Sequence, residues 1–387
     1  MVPVPVLYLS VVVDLIGIGI IVPLLPFYAQ AFGASPLTVS LLYAIFSLTQ
    51  FLSAPLLGRL SDRIGRRPVF LGCVMLSCLA YLSLAFADSL LPIFIARAIN
   101  GVGAGKIAVA NAIVADITPP ETRAKRLGLL ASAFGIGMIL GPVIGGLLSG
   151  DAANPDFHSP MFAAASLSAI AAVLGFLLVK ESLPPAARHA RAARGGFLAN
   201  VRATLGDTRL IPLIGFLFAF NFVFAQVIAI NPLWLQAAFA YGPRETGAVF
   251  GFIGLVLLVV QAAGIGPAVR LFGERRVLLG GVGLMACAML ATPLATSLPL
   301  YLLFGGLTAA AIGLIGPSSY ALLSRAAGPD RQGTVMGAAQ GIGSLAQVIG
   351  PGMAGGLFGA LGHNAPYLTG GAILALACII GGLRLPK

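Results

Sequence analysis

Long apolar runs separated by short polar breaks make up nearly the whole chain. A run of about 20 mainly apolar residues is what one helical crossing of a hydrocarbon layer about 30 Å thick requires. On that template the pattern predicts twelve spans, beginning near Val6, Leu37, Val69, Leu90, Ala124, Pro160, Leu210, Glu245, Arg276, Leu298, Gln332 and Ala365. The longest polar interval contains the basic stretch RHARAARGG and divides the spans six and six. The expected architecture is all-α and integral to the membrane. It comprises an N-terminal six-helix bundle at 1–180, a basic linker at 181–209 and a C-terminal six-helix bundle at 210–387.

Composition agrees, because 58% of the 387 residues are hydrophobic, only 9% are charged, and almost nothing is left over for a soluble domain. A net charge of +11 invites a nucleic-acid reading, but the placement of the basic residues argues against it. With twelve spans, Arg59, Arg63, Arg66, Arg67, Arg123, Lys125, Arg126, Arg270, Arg275, Arg276, Arg325, Arg331, Arg384, Lys387 and the linker bases share one side, and only Arg244 falls opposite. The positive-inside rule makes that side, with both termini, cytoplasmic in a cell membrane. No nucleic-acid partner is expected. The opening MVPVP lacks the features of a cleaved signal, so the first span is expected to stay as an anchor. Cys73, Cys78, Cys287 and Cys378 lie in apolar runs without metal-ligand spacing and read as small buried hydrophobes. The three histidines, His158, His189 and His363, lie in loops and form no constellation with a nucleophile, which argues against an enzyme.

The halves echo each other at an offset of about 208 residues, the sign of a duplicated six-helix unit. GRLSDRIGRRPVFLG from Gly58 recurs as GPAVRLFGERRVLLG from Gly266, and GIGMILGPVIGG from Gly135 recurs with an insertion as GIGSLAQVIGPGMAGG from Gly341. The first of these, with Gly58, Leu60, Asp62, Arg63, Gly65, Arg66, Arg67 and Leu71, resembles the signature between the second and third helices of the major facilitator superfamily. IARAINGVGAG resembles that family's fourth-helix signature, GIGMILGPVIGG its fifth-helix antiporter signature, and VVVDLIGIGIIVPLLP the first helix of its drug and tetracycline antiporters.

The resemblance implies a major facilitator fold and transport by alternating access between the halves. It also implies a gating cluster in which Arg66 links Asp62 to Asp116 while Asp62 sits near the start of the eleventh helix. The fifth-helix motif, Gly137, Gly141, Pro142, Gly145 and Gly146, would pack the fifth and eighth helices closely, bend at Pro142 and limit ion leak. Tetracycline antiporters carry a carboxylate in the ninth helix and a His in the eighth, where Leu284 and Leu257 stand here, so tetracycline does not follow as the substrate.

Charges inside the hydrocarbon are functional candidates by default. Asp14 is the one acid deep in a span, about 12 Å from its start, and Lys106 lies about 15 Å from the end of the fourth span, while Arg97 lies nearer the other side. Matched depth predicts an Asp14–Lys106 pair, with Arg97 nearby, as the proton-coupling group. A carboxylate that loses its cation in a dry setting takes up a proton. Ser40, Tyr43, Ser47 and Gln50 share one face of the second span, and Gln340, Ser344 and Gln347 one face of the eleventh. Together with Gln226, Asn231, Trp234 and Gln261 these are substrate-contact candidates or helix-to-helix hydrogen bonds, and Lys106 is a further substrate-contact candidate, for an anionic group. The expected function is proton-coupled export of small amphipathic compounds by a monomer, with the proton as coupling ion and no cofactor or metal. The alternative is a metabolite or organic-anion transporter of the same fold, with import as well as export open to it.

Overall fold

The computed structural model describes residues 4–150, 154–183, 197–328 and 331–384. RHARAARGG and Lys387 lie outside the described residues. Among the described residues, twelve helices are long and apolar enough to cross a membrane. In order they are Val4–Ala31, Pro36–Ile64, Arg66–Ala85, Leu90–Ile117, Pro120–Leu148, His158–Leu178, Ile211–Phe239, Pro243–Phe272, Glu274–Ala291, Leu298–Ala327, Gln332–Leu361 and Ala365–Arg384. Proline opens the second, fifth and eighth, where its missing N–H costs no helical bond. Asp156 sets the start of the sixth by accepting the backbone N–H groups of His158 at 2.8 Å and Ser159 at 3.1 Å. The Ser159 hydroxyl also donates to it, and these bonds hold its carboxyl below the ordinary value. Gly65 and Gly273, aligned by the sequence repeat, occupy matching turns with φ of 113° and 78°, which side chains rarely adopt.

Four departures from uninterrupted helices modify the expected pattern. The fourth span breaks at Gly105 into Leu90–Ala104 and Lys106–Ile117, where the glycine-rich GVGAG lowers helix propensity. The eighth contains a π-helical turn at Val260–Gly264, and the ninth is followed by a 3₁₀ turn at Thr292–Leu294. The 181–209 interval, expected only to link, contains the helix Phe197–Leu205.

The chain forms two compact units. The first comprises residues 1–34, 45–194 and 241–251, and the second residues 35–44, 195–240 and 252–387. In the first, Leu7, Val11 and Leu15 of span one pack with Phe70 and Val74 of span three and with Val109 and Ile113 of span four. In the second, span seven packs on spans eleven and twelve, and span nine packs on spans ten and twelve. Ile170, Val173, Phe176 and Leu177 on span six stay exposed, as a lipid-facing side requires. Cys73 and Cys78 are buried, but Cys287, expected inside, is exposed, because its position on span nine turns it away from the packed face.

Candidate functional site

Asp14 and Lys106 meet inside the first unit, with Lys106 Nζ 2.5 Å from Asp14 Oδ2. Asp14 is 0% exposed and Lys106 3%. Neither charge stands alone. The Lys106 ammonium also donates to Ser77 Oγ at 2.6 Å, and the Ser168 hydroxyl donates to Asp14 Oδ1 at 3.0 Å. The backbone makes this reach possible: a Cβ at Gly103 would stand 2.7 Å from Ser77 Oγ, so glycine there lets span four approach span three closely. Lys106 follows directly on the Gly105 break, at the first position of the second helical segment. Arg97 is buried nearer the start of span four, with its guanidinium 4.5 Å over the ring of Phe46. Depth alone led to the Asp14–Lys106 pair, whereas Ser77 and Ser168 carry no charge and are indistinguishable in sequence from other small residues of membrane helices.

A second charged cluster lies at the loop between spans two and three. Arg66 binds Asp62 Oδ1 through Nη2 at 2.6 Å, Asp116 Oδ2 through Nε at 3.1 Å, and Ser61 Oγ through Nη1 at 2.6 Å. These are charge-assisted bonds around a buried guanidinium, a strong arrangement. Glu181, assigned from sequence to the linker, completes the cluster. Its carboxylate accepts the backbone N–H of Arg66 at 2.9 Å and of Arg67 at 3.2 Å, at the positive end of span three. Arg67 donates to the Phe176 carbonyl at 2.6 Å, while Arg63 is exposed and a Cβ at Gly58 would meet nothing within 4 Å.

The fifth-span motif faces a different partner from the one expected. A Cβ at Gly137 would lie 2.7 Å from the Leu15 carbonyl carbon, at Gly141 2.5 Å from Gly19 Cα, and at Gly145 2.8 Å from the Ile20 carbonyl oxygen. The i, i+4 glycine stripe therefore seats span one, the helix that carries Asp14. Only the flank of the motif meets span eight: Gly146 packs against Gly247 and Pro243, and the Pro142 carbonyl faces Gly247. The cause is the helical period, which puts residues 137, 141 and 145 on one face and 142 and 146 on the next.

The polar candidates of the second unit are distributed among several environments. Trp234, 1% exposed, donates its indole N–H to Asn364 Oδ1 at 2.9 Å and stacks on Tyr301, whose hydroxyl donates to Asn231 Oδ1 at 2.5 Å. Trp234 and Asn231 thus serve as helix-to-helix contacts. Gln347 donates to Asn221 Oδ1 at 2.9 Å, and the Tyr320 hydroxyl donates to Gln340 Oε1 at 2.9 Å. Gln226 is fully buried and neither of its amide atoms finds a partner among the described residues. Gln261 is exposed within the π turn. Tyr43 is buried in the second unit and Gln50 half-buried in the first.

Twelve spans, with an acid–base pair buried inside the first unit, are the features of a membrane transporter for small molecules. The Major Facilitator Superfamily model matches residues 7–265 and 213–387, and the chain belongs to that family. It is 31% identical over 379 residues to the tetracycline resistance protein, class C, of Escherichia coli, covering 96% of this chain and 93% of that protein. It is 28% identical over 371 residues to multidrug resistance protein 2 of Bacillus subtilis (strain 168), covering 94% and 90%. The crystal structure of the human organic anion transporter MFSD10 (TETRAN) superposes with a TM-score of 0.74 at 26% identity over 98% of each chain.

Proposed function

We propose that this transporter exports small amphipathic compounds in exchange for protons, with Asp14 as the proton carrier and Lys106 as the cation that leaves when the carboxyl is protonated. The observation that supports this is the buried Asp14–Lys106 contact at 2.5 Å. A buried ion pair contributes little net stability in itself. A pair retained at such depth is better explained by a cycle in which it opens. The resistance proteins among its relatives support export, and the one-sided placement of the basic loops supports a cell-membrane protein with both termini in the cytoplasm. The test is substrate flux driven by an imposed pH gradient in proteoliposomes. Asp14→Asn is expected to fold and to lose gradient-driven flux, and wild-type flux in that variant would remove Asp14 from the mechanism.

A second reading is transport of organic anions, favoured by two buried bases, Arg97 and Lys106, against one buried acid, Asp14, deep in the spans, and by the similarity to MFSD10. A panel of neutral, zwitterionic, anionic and cationic amphiphiles in the same flux assay separates the two. Preference for anions favours the second reading, and transport of quaternary ammonium compounds sinks it.

A further inference from the structure

Beside the Asp14–Lys106 pair stands a second polar group that the proposed cycle has not used. Tyr81 of span three is 0% exposed, and its hydroxyl makes no hydrogen bond of good geometry among the described residues. The same is true of the amide nitrogen of Asn100, a buried residue of span four that lies next to the hydroxyl. Buried phenols and amides ordinarily find partners, and packing alone would be served as well by Phe. Tyr81 is also placed against the right helix. A Cβ at Gly17 would lie 3.4 Å from Tyr81 Cε2, and Gly17 is one helical turn from Asp14. Asp14 and Arg97 are both within electrostatic reach of the hydroxyl.

An ionised carboxylate only accepts hydrogen bonds, and here Ser168 supplies one to Oδ1 while the Lys106 ammonium stands in ion-pair contact with Oδ2. Once protonated, the same carboxyl needs an acceptor for its O–H: the lysine ammonium has no lone pair, and Ser168 has only the lone pairs of a hydroxyl already held at Oδ1, whereas the Tyr81 oxygen is unpartnered among the described residues. We propose that Tyr81, backed by Asn100, is the alternate partner of Asp14: the protonated carboxyl donates to the phenol oxygen, and the Asn100 amide nitrogen beside that oxygen holds it in place. Tyr81 is then a positioning residue for the proton site, reached by a shift of span one along span three once Lys106 has moved off. The charged and titratable groups facing this place are Lys106 and Arg97 from span four, Cys73 and Cys78 from span three, and Asp14 itself. Span six contributes the Ser168 hydroxyl.

This inference rests on the proposed role of Asp14, so its test carries two independent readouts on the reconstituted full chain. In the pH profile of gradient-driven flux, Tyr81→Phe is expected to lower the half-maximal pH by about one unit, a tenfold loss of proton affinity, because the protonated carboxyl loses its acceptor. In the infrared pH-difference spectrum, the protonated-carboxyl band that Asp14→Asn removes is expected to move to higher frequency in Tyr81→Phe. Asn100→Leu, which leaves the Tyr81 ring in place, should shift both readouts in the same direction and replaces Tyr81→Phe if that variant does not fold. An unmoved profile and an unmoved band in variants that fold overturn the proposal. If Asp14→Asn keeps wild-type flux, the proton-carrier reading fails, and the infrared band alone then decides whether Tyr81 contacts the Asp14 carboxyl.

Discussion

Replacing Lys106 with Met removes the ammonium while leaving an apolar chain of similar length, so the change isolates the charge. Asp14 is then left with the Ser168 hydroxyl and no cation. Removing one partner of a buried pair costs about 3–5 kcal/mol. The expected loss at pH 7 is therefore of that size, about 3–5 kcal/mol. The assay is unfolding of the purified protein in mixed micelles. Asp14→Asn combined with Lys106→Met should recover most of the loss, since neither charge is then stranded. A single variant as stable as wild type at pH 7, or a double variant carrying the sum of two independent losses, would show that the pair is not energetically coupled.

The helix-packing and loop contacts give two further expectations. Gly141→Leu must push span one aside, because even a Cβ would stand 2.5 Å from Gly19 Cα, so thermal unfolding should show a loss at or above the roughly 1–3 kcal/mol typical of overpacking. Unchanged stability would mean that the two helices do not pack this closely. Glu181→Gln keeps one acceptor oxygen, replaces the other with an NH2 donor that faces an N–H, and removes the charge at the start of span three, so it should destabilise by at least about 0.3–1 kcal/mol, and the charge part less at high salt. The salt dependence of the midpoint is the measurement, and its absence would reduce Glu181 to a neutral cap.

The spans were legible because a membrane imposes its constraint one residue at a time: each run must be apolar throughout, whatever it packs against. Starts were less legible where helices extend beyond the hydrocarbon. Span five begins at Pro120, ahead of the expected Ala124, because the polar PETRAK sequence is a good helix opening even though it is not apolar. Asp14 and Lys106 were legible because deep charges are rare and their depths matched. Which way a polar residue faces was not. Nothing in the apolar surroundings VIAINPLW separates a residue that lines a path from one that locks helices together, and Trp234 and Asn231 make their bonds to Asn364, in the turn before span twelve, and to Tyr301 of span ten. Glu181 was hidden for a related reason, since a carboxylate just past a span looks the same whether it is solvated or closes a helix end 115 positions earlier.

The direction of the fifth-span glycines connects two features that the sequence presents separately. Gly137 packs on Leu15, the residue next to Asp14, and Gly141 packs on Gly19. Along this stripe span one meets span five largely backbone to backbone, and nearer the start of span one the Tyr8 and Ser132 hydroxyls link the two helices at 3.2 Å. A contact of this kind resists separation, because any gap would forfeit the dispersion of the whole stripe, while its small residues leave less to interlock than a packed seam of large side chains. Asp14 must leave Lys106 for its carboxyl to take part in any proton exchange, and the stripe restricts the ways in which span one can move to achieve this. A shift of span one along its own axis keeps the glycine contact while changing the depth of Asp14 relative to Lys106 on span four. The fifth-span glycines and Asp14 would then belong to one moving surface, with the Gly105 break leaving Lys106 on a segment separate from Arg97.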